Sequence, residues 1–145
     1  KKGDHEKTWE LLKMINPINH GDSPEIIETY KVEPYVLAAD VYGVEPHVGR
    51  GGWTWYTGSA GWMYQLIIES FLGIHREGNQ LRIKPCIPKE WKSFEITYRF
   101  GNTYYQIQVA QTDGSQPAIK LDNEFVEGNT IQLLDDRERH IVTIS

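Results

Sequence analysis

A chain of 145 residues, 39% apolar and 24% charged, has the balance of an ordinary globular protein and can bury one sizeable core or two small ones. Its net charge of −5 argues against nucleic acid as the main partner, and no apolar run reaches the roughly 18–20 residues of a membrane span. The single cysteine, Cys86, excludes an internal disulfide and a thiolate metal cluster and fits a reducing compartment.

No signal peptide stands at the N-terminus, and the opening Lys1-Lys2-Gly3-Asp4 without an initiator Met gives the expectation of a piece of a longer chain. Residues 5–74 read as helical. His5 to Asn16 carries Trp9, Leu11, Leu12 and Ile15 at helical spacing, and Asn16-Pro17 stops it. Ser23-Pro24-Glu25 is a helix start, with a capping hydroxyl, proline in the first turn and a carboxylate at the positive dipole end. That short helix carries Ile26, Ile27 and Tyr30, and Glu33-Pro34 breaks it. Tyr35 to Tyr42 reads as another short helix, and Gly43 to Tyr56 as a loop with four glycines and Pro46. From Gly58 to Leu72 apolar residues point in nearly every direction, which predicts a helix packed on most sides, with Gly73 as its C-cap.

After Ile74 the period changes to two. Phe94, Ile96, Tyr98 and Phe100 alternate with polar residues, Gly101-Asn102 makes a turn, and Tyr105, Ile107 and Val109 alternate again. Residues 81–83, 119–121, 131–133 and 140–144 read as further short strands, with turns at Asp122-Asn123 and Glu127-Gly128-Asn129. The expectation is an α+β chain whose second half is a small antiparallel β-sandwich, the switch falling near Gly73–Gly78.

The unusual stretch is "GRGGWTWYTGSAGWMYQLIIESFLG", residues 49–73, where glycines alternate with large aromatics just before a helix. Thr57 stands at the N-cap position and Gly58-Ser59-Ala60 in the first turn, where unpaired amides and the dipole favour an anion. Gly58 leaves the backbone open to that anion, and Arg50 adds positive charge. Trp53, Trp55 and Tyr56 offer ring faces suited to the C–H faces of sugars, with polar tips for hydroxyls. Spacing alone equally allows a plain helix cap and tight packing of tryptophan beside glycine.

Four segments bear on that choice: "NPINH" (16–20), "YKVEPYVLAADVYG" (30–43), "GRGGWTWYTGSAGWMY" (49–64) and "IKPCIPKEWKSFEITYRFGNTYYQIQV" (83–109). In that order they resemble the C-terminal end of glycoside hydrolase family 94, a family of inverting phosphorylases of β-glucosides that also includes the C-terminal region of cyclic β-1,2-glucan synthases. The resemblance covers nearly the whole chain up to about residue 110. Ala38-Ala39 stand where cellobiose and chitobiose phosphorylases usually carry a glutamine, and "WYTGS" replaces their Trp-Leu-Thr-Gly-Thr-type turn, so the β-1,2-glucan branch is the nearer likeness.

The resemblance implies the last helices of an (α/α)6 barrel in residues 1–75 and a jelly-roll-like domain in 76–145. It implies that phosphate attacks the anomeric carbon while an Asp protonates the leaving oxygen. The phosphate replaces the second carboxylate that an inverting hydrolase uses to activate water. The family's Thr-Gly phosphate pair maps onto Thr57 and Gly58. Its general-acid Asp and its phosphate His belong to motifs expected upstream of Lys1, so the reading has no catalytic residue in these residues. Tyr35, Arg50, Trp53, Trp55 and Tyr56 are the sugar-lining candidates. His20 reads as structural, Glu33 as holding local backbone, and Asp40 as structural or supporting. Trp91, Phe94 and Tyr98 read as core of the β half, and "DDRER" (135–139) as a solvated turn. The expected partners are a β-glucan oligosaccharide, phosphate or glucose 1-phosphate, and the remainder of a parent chain. No metal or cofactor, no nucleic acid and no membrane contact by this segment are expected, and a homodimer is compatible. The expected location is the cytoplasm, either as a soluble phosphorylase or as the cytoplasmic part of an inner-membrane synthase. A non-catalytic carbohydrate-binding module and a purely structural domain are the alternatives.

Overall fold

Local capping chemistry sets the first helices in the computed structural model, which describes residues 4–56, 58–111 and 118–145. Helix α1 (His5–Ile15) starts at Asp4, whose side chain accepts from the Lys7 amide at 3.0 Å. It ends at Asn16, whose amide donates back to the Leu12 carbonyl and whose side chain accepts from the Ile18 amide, opening a 3-10 turn over Pro17–His20. Helix α2 (Pro24–Tyr30) is capped by Ser23, and Lys31 closes it in the left-handed region at φ 55°. Helix α3 (Ser59–Gln65) passes into a wider π turn over Leu66–Phe71.

The chain divides into two compact units, Lys1–Ile67 and Ile68–Ser145. In the first, Leu12, Tyr30, Val36 and Met63 are buried, whereas Leu11, Met14, Ile15, Ile18, Trp62 and Tyr64 stay exposed. This corrects the expectation of a last helix packed on most sides. Met63 is the buried residue of α3, while Trp62 and Tyr64 face outward. The first unit has too few elements to cover every apolar face of that helix.

The expected helix over Tyr35–Tyr42 is also corrected. Residues 39–42 lie extended against residues 50–53, with backbone bonds from Ala39 to Trp53, Gly52 to Asp40 and Tyr42 to Arg50 at 2.8–2.9 Å. A backbone ladder with the glycine-rich segment satisfies the polar groups that a helix would have used. The glycines are needed for this approach, because a methyl on Gly51 would strike the Val32 side chain and one on Gly52 would strike the Asp40 carboxylate.

The described residues of Ile68–Ser145 form a sandwich of the strands β1 (Ile74–Glu77), β2 (Gln80–Ile83), β3 (Ser93–Phe100), β4 (Thr103–Ala110), β5 (Ile119–Leu121), β6 (Glu124–Val126), β7 (Thr130–Gln132) and β8 (Arg139–Ile144). One sheet runs β1-β2-β7 and the other β3-β4-β8-β5-β6. Alternate residues of both sheets, including Leu81, Ile83 and Ile131 from one and Tyr105, Ile107 and Val142 from the other, form one core. Phe94 and Tyr98 pack against that core, and Trp91 stands edge-on to Phe71 at 5.4 Å.

The larger sheet is not purely antiparallel as expected, because β4 and β8 pair in parallel from Tyr104–Arg139 to Val109–Ile144. Parallel neighbours need a long crossover, and the excursion through β7 in the other sheet supplies it.

The "DDRER" run is a solvated turn, exposed throughout, and its carboxylates also tie it to the β3–β4 hairpin. Asp135 accepts from the Asn102 amide at 2.7 Å, and Asp136 accepts from the Thr103 hydroxyl at 3.0 Å. The ring of His140 stacks on Tyr105, with Nδ1 2.6 Å from Asp122 and Nε2 3.0 Å from Asp136.

Candidate functional site

Tyr30 is the local organiser of the segment that carries the candidates. It is buried, its ring stacks on His20 at 4.1 Å, and its carbonyl accepts from the Gly51 amide at 2.9 Å. Burial pushes the Tyr30 hydroxyl above its ordinary range, opposed by a bond to the Ala38 backbone. His20 also meets the Met14 carbonyl at 2.8 Å, so both its ring face and its Nε2 are committed to structure.

Two pairs of rings project from this scaffold. Tyr35 and Trp55 meet edge to face at 6.2 Å, and Trp53 and Tyr56 lie 6.1 Å apart, tilted by 37°. All four are more than half exposed, and Trp53 is 70% exposed. Open aromatic faces in such number are uncommon on a protein that keeps them for packing alone. Trp55 sits at φ +60°, a conformation that bulky residues rarely adopt. Its indole N–H donates to Glu33 Oε1 at 3.2 Å. Glu33 also accepts from the Val36 amide through its carbonyl, so it holds both backbone and ring.

Thr57 lies outside the described residues. Gly58 occupies the cap position of α3 with ordinary helical angles and no side-chain cap bond, one residue later than the sequence suggests. The Ser59 amide and hydroxyl both donate to the Tyr56 carbonyl, at 3.0 and 2.8 Å. A methyl on Gly58 or Gly61 would meet nothing within 4 Å, so that side of the helix start is open to approach.

Arg50 is directed elsewhere. It lines a groove of about 440 Å³ with Glu28, Thr29, Lys31, His47 and Val48, and the four aromatics take no part in that lining. Asp40 packs over Gly52 while Glu33 is bonded to Trp55, so the two do not form an acid–base pair. Trp62, which the sequence places in a helix packed on most sides, is 71% exposed.

Among the described residues, no group of three or more His, Cys, Asp or Glu is arranged to hold a metal ion, and no helix is long and apolar enough to cross a membrane. What the structure places here is a set of ring faces and an open glycine turn.

Comparison with known proteins gives this set a context. The family model described as the glycosyl hydrolase 94 superfamily, catalytic domain, matches residues 1–73. The chain is 44% identical over 123 residues to the cyclic beta-(1,2)-glucan synthase NdvB of Rhizobium meliloti, an alignment covering 84% of this chain and 4% of that protein. It is 31% identical over 136 residues to an N,N'-diacetylchitobiose phosphorylase of Vibrio furnissii, covering 93% of this chain and 16% of the other. A solabiose phosphorylase of Paenibacillus borealis is 26% identical over 116 residues, or 77% of this chain and 15% of that one. The chain thus spans a small fraction of the length of the curated relatives it matches.

Proposed function

The chain belongs to the glycosyl hydrolase 94 superfamily, and from that premise we propose that it is the C-terminal part of an inverting β-glucan phosphorylase or glycosyltransferase, contributing one wall of its phosphate and sugar site. The observation that carries this reading is the match of the catalytic-domain model over residues 1–73, which include every site candidate. In this reading residues 1–75 are the last helices of an (α/α)6 barrel, and the sandwich is its jelly-roll companion. The exposed apolar residues of the first unit support it, because they are the surface that further barrel helices would cover.

Thr57 and Gly58 hold the phosphate, and the open space beside Gly58 lets an oxyanion approach the backbone. Trp53, Trp55, Tyr56 and Tyr35 line the sugar subsites, where ring faces meet the C–H faces of glucose. Bound phosphate is already anionic and attacks without a general base. The acid that protonates the leaving oxygen comes from another part of the parent chain. The substrate is a β-1,2-glucan, a choice supported by the higher identity to the glucan synthase than to the phosphorylases. The cytoplasm, where phosphate and glucose 1-phosphate are available, is the proposed location.

Phosphorolysis by the full-length parent tests this. With Gly58→Ala, the phosphate KM rises about tenfold or more, while the affinity for glucan changes little. With Trp53→Ala the glucan KM rises instead. Unchanged phosphate kinetics in Gly58→Ala would remove Gly58 from the site. Robust phosphorolysis by the 145-residue chain alone would overturn the missing-acid argument.

A further inference from the structure

The outward face of the five-stranded sheet is built in rows. The register places Arg99, Tyr104 and Arg139 side by side across β3, β4 and β8. The next row is Thr97, Gln106 and Ile141. The third is Glu95, Gln108 and Thr143, continued by Lys120 and Phe125 on β5 and β6. Their neighbours on each strand point into the core, so all of these side chains share the outer face.

Over the first two rows lies a cavity of about 440 Å³ lined by Thr97, Tyr104, Gln106, Arg139, His140 and Ile141. Tyr104 is 39% exposed and Ile141 48%. The guanidiniums of Arg99 and Arg139 stand 6.0 and 5.8 Å from the Tyr104 ring centre, one on each side. Glu95 accepts from the Gln106 amide at 2.9 Å and from the Gln108 amide at 3.4 Å, which holds both in place on the face.

The geometry points to this face as a second carbohydrate-binding surface, one that takes a neutral β-glucan chain on the outer face of the five-stranded sheet. A flat ring and an aliphatic side chain give a floor for pyranose C–H faces, and planar amide and guanidinium groups around them suit vicinal hydroxyls. The lining joins the apolar faces of Tyr104 and Ile141 to the polar ends of Thr97, Gln106 and Arg139, the two kinds of surface that a pyranose ring itself presents. The amides and the threonine distinguish it from a bare anion trap. The site would hold a long polymer near the enzyme, so that the chain end is presented repeatedly to the reaction centre. The choice of β-glucan rests on the proposed function; the face itself does not.

The test is calorimetric titration of the 145-residue chain with a linear β-1,2-linked glucose hexasaccharide, for wild type, Tyr104→Ala, Gln106→Ala and Trp53→Ala. Melting curves check that each variant is folded, and Gln106→Ala guards against a Tyr104 variant that fails. The expected result is binding that weakens about fivefold or more in Tyr104→Ala and Gln106→Ala and persists in Trp53→Ala. Binding lost in Trp53→Ala but intact in the sheet variants would overturn the inference and leave the proposed function standing. An absence of binding by the wild-type chain would overturn it too. Displacement of the hexasaccharide from the sheet by inorganic phosphate would show an anion site instead and also overturn it. If Tyr104-dependent binding holds while the full-length parent lacks phosphorolysis, the inference stands and the proposed function falls.

Discussion

The Gly51 amide donates to the Tyr30 carbonyl at 2.9 Å, and a methyl on Gly51 would come within 3.2 Å of the Tyr30 ring. Helix α2 and the glycine-rich segment therefore touch backbone to ring, with no room for a side chain between them. Gly51→Ala must displace the buried tyrosine or Val32 and should cost about 1–3 kcal/mol of stability. Gly58→Ala, at an ordinary φ of −87° and in open space, should stay within about 0.5 kcal/mol of wild type. Urea unfolding of the two variants side by side checks this. Equal losses would mean that the close approach at Gly51 is not what constrains the segment.

Trp55 holds its ring in place at a backbone cost. An L-residue at φ +60° loses about 1–2 kcal/mol relative to a residue without Cβ. Trp55→Gly removes the ring and that strain together, whereas Trp55→Ala removes the ring and keeps the strain. The glycine variant should be the more stable of the two by about 1 kcal/mol, and both should lose sugar affinity equally. An alanine variant as stable as the glycine one would show that the backbone relaxes once the indole leaves Glu33.

His140 should make the sandwich sensitive to pH in a defined window. The Asp122 bond raises its pKa above 6.5, burial opposes this, and Asp136 adds to the rise. A raised pKa means stability that is fully present below 6.5 and lost as pH climbs through the folded value. For Asp122, burial pushes upward, but the bonds from His140 and the Ile141 amide outweigh it. For Asp136 the Glu138 amide dominates, against partial burial, with His140 and Thr103 helping. Both carboxyls lie below 3.8, so their contribution is present above that pH and lost as pH falls through their folded values. The network is therefore at full strength from somewhat above pH 4 to the middle 6 range. Wild type should lose melting temperature above that range, and His140→Gln should lose less over the same interval. Parallel curves for the two proteins would exclude His140 as the titrating group.

What the sequence reveals here is what local chemistry decides. Asn16-Pro17 marks the end of α1 and Ser23-Pro24 the start of α2 because capping depends on near neighbours. The Asp4 cap of α1 is of the same kind, though the sequence alone does not announce it. The strict alternation around Gly101-Asn102 marks the β3–β4 hairpin for the same reason. Pairings between distant segments leave no such trace. Nothing in Tyr35–Tyr42 announces that Ala39 will bond to Trp53, and an apolar count alone favours a helix. The parallel β4–β8 pair is hidden because a strand's period does not name its neighbour. At the candidate site, glycines beside aromatics gave away the gathering of rings. The direction of Arg50, toward the groove with Lys31 and His47, depends on a backbone ladder that composition does not encode.

The same limit hid the most interior polar side chain of the sandwich. Thr103 is fully buried at the turn into β4, where its hydroxyl donates to Asp136 Oδ1 at 3.0 Å and accepts from the Arg137 amide at 2.8 Å. Thr103→Val keeps the shape but leaves the Arg137 amide without that acceptor and Asp136 without that donor. The Arg137 amide is only part-buried, so losing its acceptor costs toward the lower end of about 1–3 kcal/mol. Thr103→Ser keeps both bonds and loses a buried methyl, at about 1 kcal/mol. The valine variant should therefore unfold at lower urea than the serine variant, with unchanged denaturant dependence. Asp136→Asn should add little to the loss in the valine background, because the two side chains act through one network. If valine proves as stable as wild type, water or backbone adjustment satisfies the Arg137 amide. In that case the acidic run would hold the turn through Asp135 and His140 rather than through Thr103.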